Sequence, residues 1–427
     1  MTRAPKRRCG LAAGLLLALL LLFSTRAHAE TYLIPMDLSQ ADHLKAYGVA
    51  FWYLEQGVNV HWLLNYRGGA FLAEGGDFLE KRALIKGVSI ETISQAQKTR
   101  ILETMDGQNM TDVLLEKAPK VAIYTPPDKL PWDDAVTLAL TYAEVPYETL
   151  WDEEVLNGDL ERFDWLHLHH EDFTGQYGRF FASFKDADWY KRQQVLYEML
   201  AKQSGFAKVS EHKKAVARKL KNYVSRGGFL FAMCSATDTY DIALAAWKTD
   251  ICESMYDGDP MDAGAQQKLD FDETIAFEDF RIVTNPMVYE FSDIDVSNYS
   301  KAVGPERDYF GLFEFSAKYD PVPTMLTQNH VSVVKGFLGQ TTAFRKSLIK
   351  KHVVILGQSE GTDEVKYLHG KLGKGTFTYL GGHDPEDYQH AVGDPPTDLS
   401  LHKNSPGYRL ILNNILFPAA KKKERKT

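Results

Sequence analysis

Residues Arg226-Gly-Gly-Phe-Leu-Phe-Ala-Met-Cys-Ser-Ala-Thr-Asp238 constrain the fold of this chain more than any other stretch. Five apolar residues in a row, with no polar alternation, suit a strand buried on both faces, as in a parallel sheet. Gly227-Gly228 ends the preceding helix. Ala232 and Ala236 are the small residues that a sharp strand-to-helix turn requires on either side of the side chain it projects, here Cys234. A second segment, Gly373-Lys-Gly-Thr-Phe-Thr-Tyr-Leu-Gly-Gly-His-Asp-Pro-Glu386, reads as a strand that delivers His383, with a carboxylate three residues on. A thiolate nucleophile needs a base and a group to orient that base, and these two segments supply all three kinds of group.

The surrounding pattern agrees with a parallel sheet. From Pro119 the chain alternates strands (Lys120–Tyr124, Tyr147–Leu150, Trp165–His169, Phe229–Met233) with helices, one beginning near Pro131 and running to about Ala143. That alternation implies an α/β fold with helices on both faces of the sheet. Residues 30–118 read as a separate N-terminal α/β lobe. The pattern lapses over about 249–350, an acidic, loop-rich stretch read as an insertion. It returns at His352–Leu356 and continues into a hairpin, Val365–Leu368 with Gly375–Leu380.

Residues 1–29 have the form of an export signal. Arg3, Lys6, Arg7 and Arg8 precede an apolar run, Gly10–Phe23, and Ala27-His-Ala29 is a small-x-small cleavage site. The mature chain is therefore expected to start at Glu30 and to act outside the cytoplasm, with no membrane span. Cleavage removes five positive charges and changes the net charge from −8 to −13, which argues against nucleic acid as a partner. The basic end, 421–427, reads as a solvated tail.

Two cysteines remain in the mature chain, Cys234 and Cys252. A disulfide is the default for such a pair in an oxidising compartment. A helix over Thr239–Lys248 would carry the chain roughly 15 Å away, and the remaining four residues span at most about 14 Å. The chain would have to double straight back to close the bridge.

The Gly-Gly-Phe-Leu-Phe-Ala-Met-Cys-Ser-Ala segment resembles the nucleophile region of class I glutamine amidotransferase-like domains. The Gly373–Asp384 segment is similar to the end of ThuA-like domains of the same flavodoxin-like group. The resemblance covers roughly 119–417. It implies a three-layer αβα sandwich spanning 119–420 and an amide- or acyl-bond hydrolase. Cys234 would be its nucleophile, His383 its base and Glu386 its orienting acid. The departures are a His-x-x-Glu spacing in place of His-x-Glu, alanines in place of the flanking glycines, and His169-His-Glu-Asp172 where the enzymes carry a glycine-rich oxyanion loop. Exported chains of this look are sometimes labelled asparagine synthetase B. The N-terminal cysteine and the ATP-binding Ser-Gly-Gly motif of such synthetases are absent.

His169, His170, Glu171 and Asp172 follow a strand, at the edge where open α/β sheets bind ligands. With Ser235, Asp384 and Arg67 (in Tyr66-Arg-Gly-Gly69) they complete the expected pocket for a small, amide-containing molecule. No cofactor is required by this reading. Two alternatives stand beside it. One is a non-catalytic ligand-binding domain of the same fold. The other is a metal-dependent hydrolase that holds a divalent ion with His169, His170, Glu171 and His383, imidazole and carboxylate being suitable ligands.

Overall fold

The computed structural model describes Met1, residues 30–127 and residues 133–420. Residues 2–29, read above as an export signal, Pro131 and the basic tail lie outside the described residues. The chain is a mixed α/β structure with two sheets. The first contains β1 (Glu30–Ile34), β2 (Val60–Leu64), β3 (Ala70–Gly75), β4 (Glu91–Ile93) and β5 (Thr111–Leu115), in the order β4-β1-β3-β2-β5, with every pairing antiparallel.

The second sheet is half parallel and half antiparallel. Its parallel half comprises β6 (Val121–Tyr124), β7 (Glu148–Leu150), β8 (Trp165–Leu168), β9 (Phe229–Met233) and β15 (Gly375–Leu380), in the order β15-β9-β8-β6-β7. The antiparallel half extends outward from β15 through β14 (Glu364–Leu372), β13 (Val354–Gln358), β10 (Tyr309–Leu312) and β11 (Val333–Lys335), while β12 (Phe344–Arg345) pairs with β14. The stretch read as an insertion therefore contributes β10, β11 and β12 to the sheet itself. Its strands are short and pair antiparallel across long connections, so no strand–helix alternation announces them.

The central strand β9 explains why the main sheet is covered on both sides. Phe229, Phe231 and Met233 enter one apolar core, and Leu230 and Ala232 enter another. The first core is shared with the antiparallel sheet through the His43–Glu55, Ala135–Ala143 and Pro406–Leu416 helices. Gly48 permits the closest approach between two of them, because a Cβ there would lie 1.7 Å from the Ala143 carbonyl oxygen. The second core lies under the Val209–Arg226 and Ala236–Ala245 helices, and all ten residues of the latter are buried. Among the described residues no helix is long and apolar enough to cross a membrane.

Where the Pro406–Leu416 helix meets the first sheet, Arg409 is fully buried. Its guanidinium donates to the Met36 and Gly68 carbonyls and contacts His330 Nδ1 at 3.1 Å. His330 stacks on His43 with ring centroids 4.5 Å apart. Burial first, and then the Arg409 charge, push His43 down to about 4 and His330 down to about 3. Unfolded histidines titrate near 6.5, so between about 6.5 and 4 the unfolded chain binds more protons. Stability is therefore expected to fall as pH drops through that window, by about 3 kcal/mol for His43 alone. Denaturant unfolding at stepped pH checks this. The acid loss should shrink in His43→Phe, and an equal loss in the variant would contradict the assignment.

Candidate active site and metal centre

Four neighbouring parallel strands, β15, β9, β8 and β6, deliver their carboxyl ends to one edge. β6 leads to Asp133 and Asp134, β8 to His169–Asp172, β9 to Cys234, and β15 to His383 and Asp384. Backbone hydrogen bonds fix the convergence. Cys234 N donates to the Gly382 carbonyl at 3.2 Å, and Ala236 N donates to the His169 carbonyl at 3.0 Å. Gly382 has φ +98°, and a Cβ there would collide with Phe337, so only glycine lets the chain turn before His383.

Cys234 sits at φ +49°, a left-handed conformation costly for a residue with a side chain. Its Sγ accepts a hydrogen bond from Gln340 N at 3.4 Å. Burial pushes the thiol up to about 11, against the opposing effect of these backbone N–H groups. Neither ring nitrogen of His383 makes a hydrogen bond, to Sγ or to any other group among the described residues. Both cysteines are free, and Cys252 Sγ donates to the Thr174 carbonyl at 3.2 Å.

The other expected members of the thiol site have different partners. The Glu386 carboxylate pairs with His402 at 3.0 Å, so it does not orient His383. The Pro385 turn carries it past the imidazole. Asp384 is buried and accepts from Glu386 N and from Thr397 Oγ1. Asp172 accepts from Thr174 and from Gly178 N, which shapes its own loop. Ser235 is fully buried, and its Oγ makes no hydrogen bond among the described residues. Arg67 lies on the first sheet, where Asp37 and Glu91 each engage it at 2.7 Å, so its charge is spent locally and not on a ligand.

The structure does gather imidazoles. One ligand atom from each of His169, His170 and His383 lies within 4.8 Å of the others. The His169 and His383 rings meet edge to face at 4.5 Å. Burial pushes His169 down to about 4 and holds His170 and His383 well below the ordinary histidine value. All three are therefore neutral near pH 7, which is the form that ligates metals.

The tautomer of His169 follows from its neighbours. Burial alone would raise the Asp134 carboxyl, but His167 and His169 beside it hold it well below the usual carboxylate range. Asp134 is thus an ionised acceptor, and its Oδ1 lies 3.6 Å from His169 Nδ1. His167 donates from Nδ1 to the Phe231 carbonyl at 3.1 Å, and its Nε2 faces His169 Nδ1 at 3.3 Å. His167 Nε2 also lies 3.3 Å from Asp134 Oδ2. The carboxylate beside His169 Nδ1 favours the Nδ1–H tautomer of neutral His169. His169 Nε2 is left as a lone pair with no partner among the described residues. A carboxylate behind a histidine is the usual outer partner of a metal ligand.

Glu171 is not part of this cluster, contrary to the expected ligand set. Its Oε2 accepts from His169 N at 2.8 Å, and burial pushes its carboxyl up to about 8. Asp134, Asp133 and His390 were not among the residues singled out from sequence. His390 stacks on His383 at 4.6 Å, with its ring nitrogens 2.9 Å from Asp133 and 2.8 Å from Asp387. A further acidic group, Asp250 with Asp257 and Cys252, already encloses a cation, the Lys208 ammonium 2.6 Å from Asp250.

No family model matches the chain, and no curated protein matches it. Among solved structures, two cytoplasmic proteins from Salmonella typhimurium each align at 10% identity and TM-score 0.34, over 71% of this chain and all of theirs. An exo-β-1,4-mannosidase from an Opitutaceae bacterium aligns at 12% identity and TM-score 0.26, over 62% of this chain and 31% of that one. Likenesses at these scores carry no information on what this chain does.

Proposed function

We propose that this chain is a metal-dependent hydrolase of an amide or related acyl bond, with a zinc-type divalent ion held by His169, His170 and His383. The observation that carries this reading is the unpartnered His169 Nε2, set as a lone pair by Asp134 and His167 within a cluster of buried neutral imidazoles. Three protein ligands leave a position open for water or substrate, and a bound ion would supply a water that ionises near neutral pH. Asp134 holds the His169 ring and its tautomer. Glu171, on the same loop, accepts from His169 N and so fixes the backbone that carries the ligands. In the same reading, the parallel strands and their helices form an amidotransferase-like three-layer sandwich, and the leader of 1–29 sends the protein out of the cytoplasm. The leader's basic, apolar and small-residue sections support the second part.

A second reading keeps Cys234 as nucleophile. The strained φ of +49° at a strand-to-helix turn favours it, since strain of this kind concentrates at active sites. One experiment separates the two readings. Turnover of a nitrophenyl ester is measured near pH 7 after chelation and, separately, after iodoacetamide. The metal reading expects chelation to abolish turnover and zinc to restore it. It also expects Cys234 to alkylate more slowly than a free thiol, because so little thiolate is present. Rapid alkylation of Cys234 with loss of activity, and indifference to chelation, would overturn it in favour of the thiol.

A further inference from the structure

Away from this edge, the Val209–Arg226 helix and the loop that follows the Ala236–Ala245 helix enclose an open cleft of about 340 Å³. One wall is a helical stripe, Ser210, Lys214 and Arg218, at successive four-residue spacing. The other wall is Trp247, Lys248, Thr249 and Asp250.

The charges in this cleft are unevenly matched. Among the described residues, no carboxylate lies within ion-pair distance of Arg218 or Lys214. Lys214 donates only to the Ala246 and Thr249 carbonyls. Lys248 reaches Asp270 at 3.7 Å and leaves most of its side chain in solvent. Arg218 and Lys248 both contact the Trp247 ring, 4.3 and 4.4 Å from its centre, so one indole holds two cations at the cleft. Asp250 shares the Lys208 ammonium with Asp257 and Asp259, and Glu211 is the other acid among the lining residues. Glu273 and Asp270 lie within electrostatic reach of Arg218 and Lys248. Neither pairs with Arg218, whose guanidinium fork is left without a carboxylate partner among the described residues, on one wall of the cleft.

We propose that this cleft is a binding site for a small phosphate-bearing anion, gripped by the Arg218 fork with Lys248 and Lys214 as point charges. A guanidinium pairs with two phosphate oxygens at once, and ammonium groups complete the neutralisation. The site is independent of the histidine cluster, so it stands whether or not that cluster binds metal.

The test is calorimetric titration of the full-length protein with inorganic phosphate and with phenyl phosphate at fixed ionic strength. Saturable binding is expected, weakened about tenfold or more in Arg218→Gln/Lys248→Gln. It should be strengthened in Glu211→Gln and unchanged in His383→Ala. Tighter binding of phenyl phosphate would assign an organic phosphate ester as the ligand, and equal or tighter binding of inorganic phosphate would assign free phosphate. Absence of saturable binding for both anions, or binding that survives the double substitution, would overturn the proposal. Arg218 and Lys248 are exposed, and circular dichroism of the variants separates lost binding from lost folding.

Discussion

Replacing His383 with alanine is expected to lower zinc affinity by more than the roughly 10–100-fold that follows loss of an outer partner of a metal ligand. His383 is one of three imidazoles in the cluster, and neither of its ring nitrogens is committed elsewhere among the described residues. Removing it leaves two ligands, too few to fix a zinc-type ion against water. The fold should survive, because the side chain contributes stacking on His390 but no hydrogen bond. Asp134→Asn is the companion variant. Asparagine still caps the Ala135–Ala143 helix, as Asp134 does by accepting from Val136 and Thr137. What it removes is the charge beside His169 Nδ1, so the about 10–100-fold loss belongs to that variant. Competition against a chromogenic chelator reads both. Zinc affinity unchanged in His383→Ala would exclude that residue as a ligand.

The second large effect is structural and concerns Arg179. Tyr177, Gly178 and Arg179 run at φ +51°, +69° and +55°, a left-handed turn beside the histidine loop. Arg179 is almost fully buried with no carboxylate in ion-pair range among the described residues. Its guanidinium donates instead to the Val283, Asn285 and Val288 carbonyls and to Gln176 Oε1. One side chain thus anchors the 283–288 segment over the sheet edge. Arg179→Ala would remove four hydrogen bonds, three of them to this part-buried segment, and the strained turn would lose what holds it. The expected cost is about 3–5 kcal/mol. Denaturant unfolding gives the magnitude, and limited proteolysis should show new cleavage within 283–291. A midpoint within error of the parent would mean that the anchor is dispensable.

These residues also show which parts of the site could be read from sequence. The sheet edge was legible because two of its strands, β9 and β15, are apolar runs led by glycine, and the turns after them carry small residues. Packing demands fix both features locally. His169, His170 and His383 were legible as candidates because they follow such strands. The partner of His383 was not legible. A carboxylate three residues on can point anywhere once Pro385 turns the chain, and Glu386 meets His402. Asp134 was hidden because the helix was expected to begin near Pro131, which places Asp134 inside it, whereas it caps a helix that starts at Ala135. Only the adjacency of β6 and β8 brings it to His169. The antiparallel half of the sheet was invisible for a similar reason. β10 and β11 are short strands in an acidic, loop-rich stretch, and their pairing is long-range.

The central claim is that His169, His170 and His383 form a metal centre. It is tested most directly by titrating metal-stripped protein with zinc and counting bound ions by mass spectrometry of the native protein. The account predicts one tightly bound zinc per chain, lost in His383→Ala and weakened in Asp134→Asn. No stoichiometric zinc in the parent protein, or equal uptake by the His383→Ala variant, would contradict it.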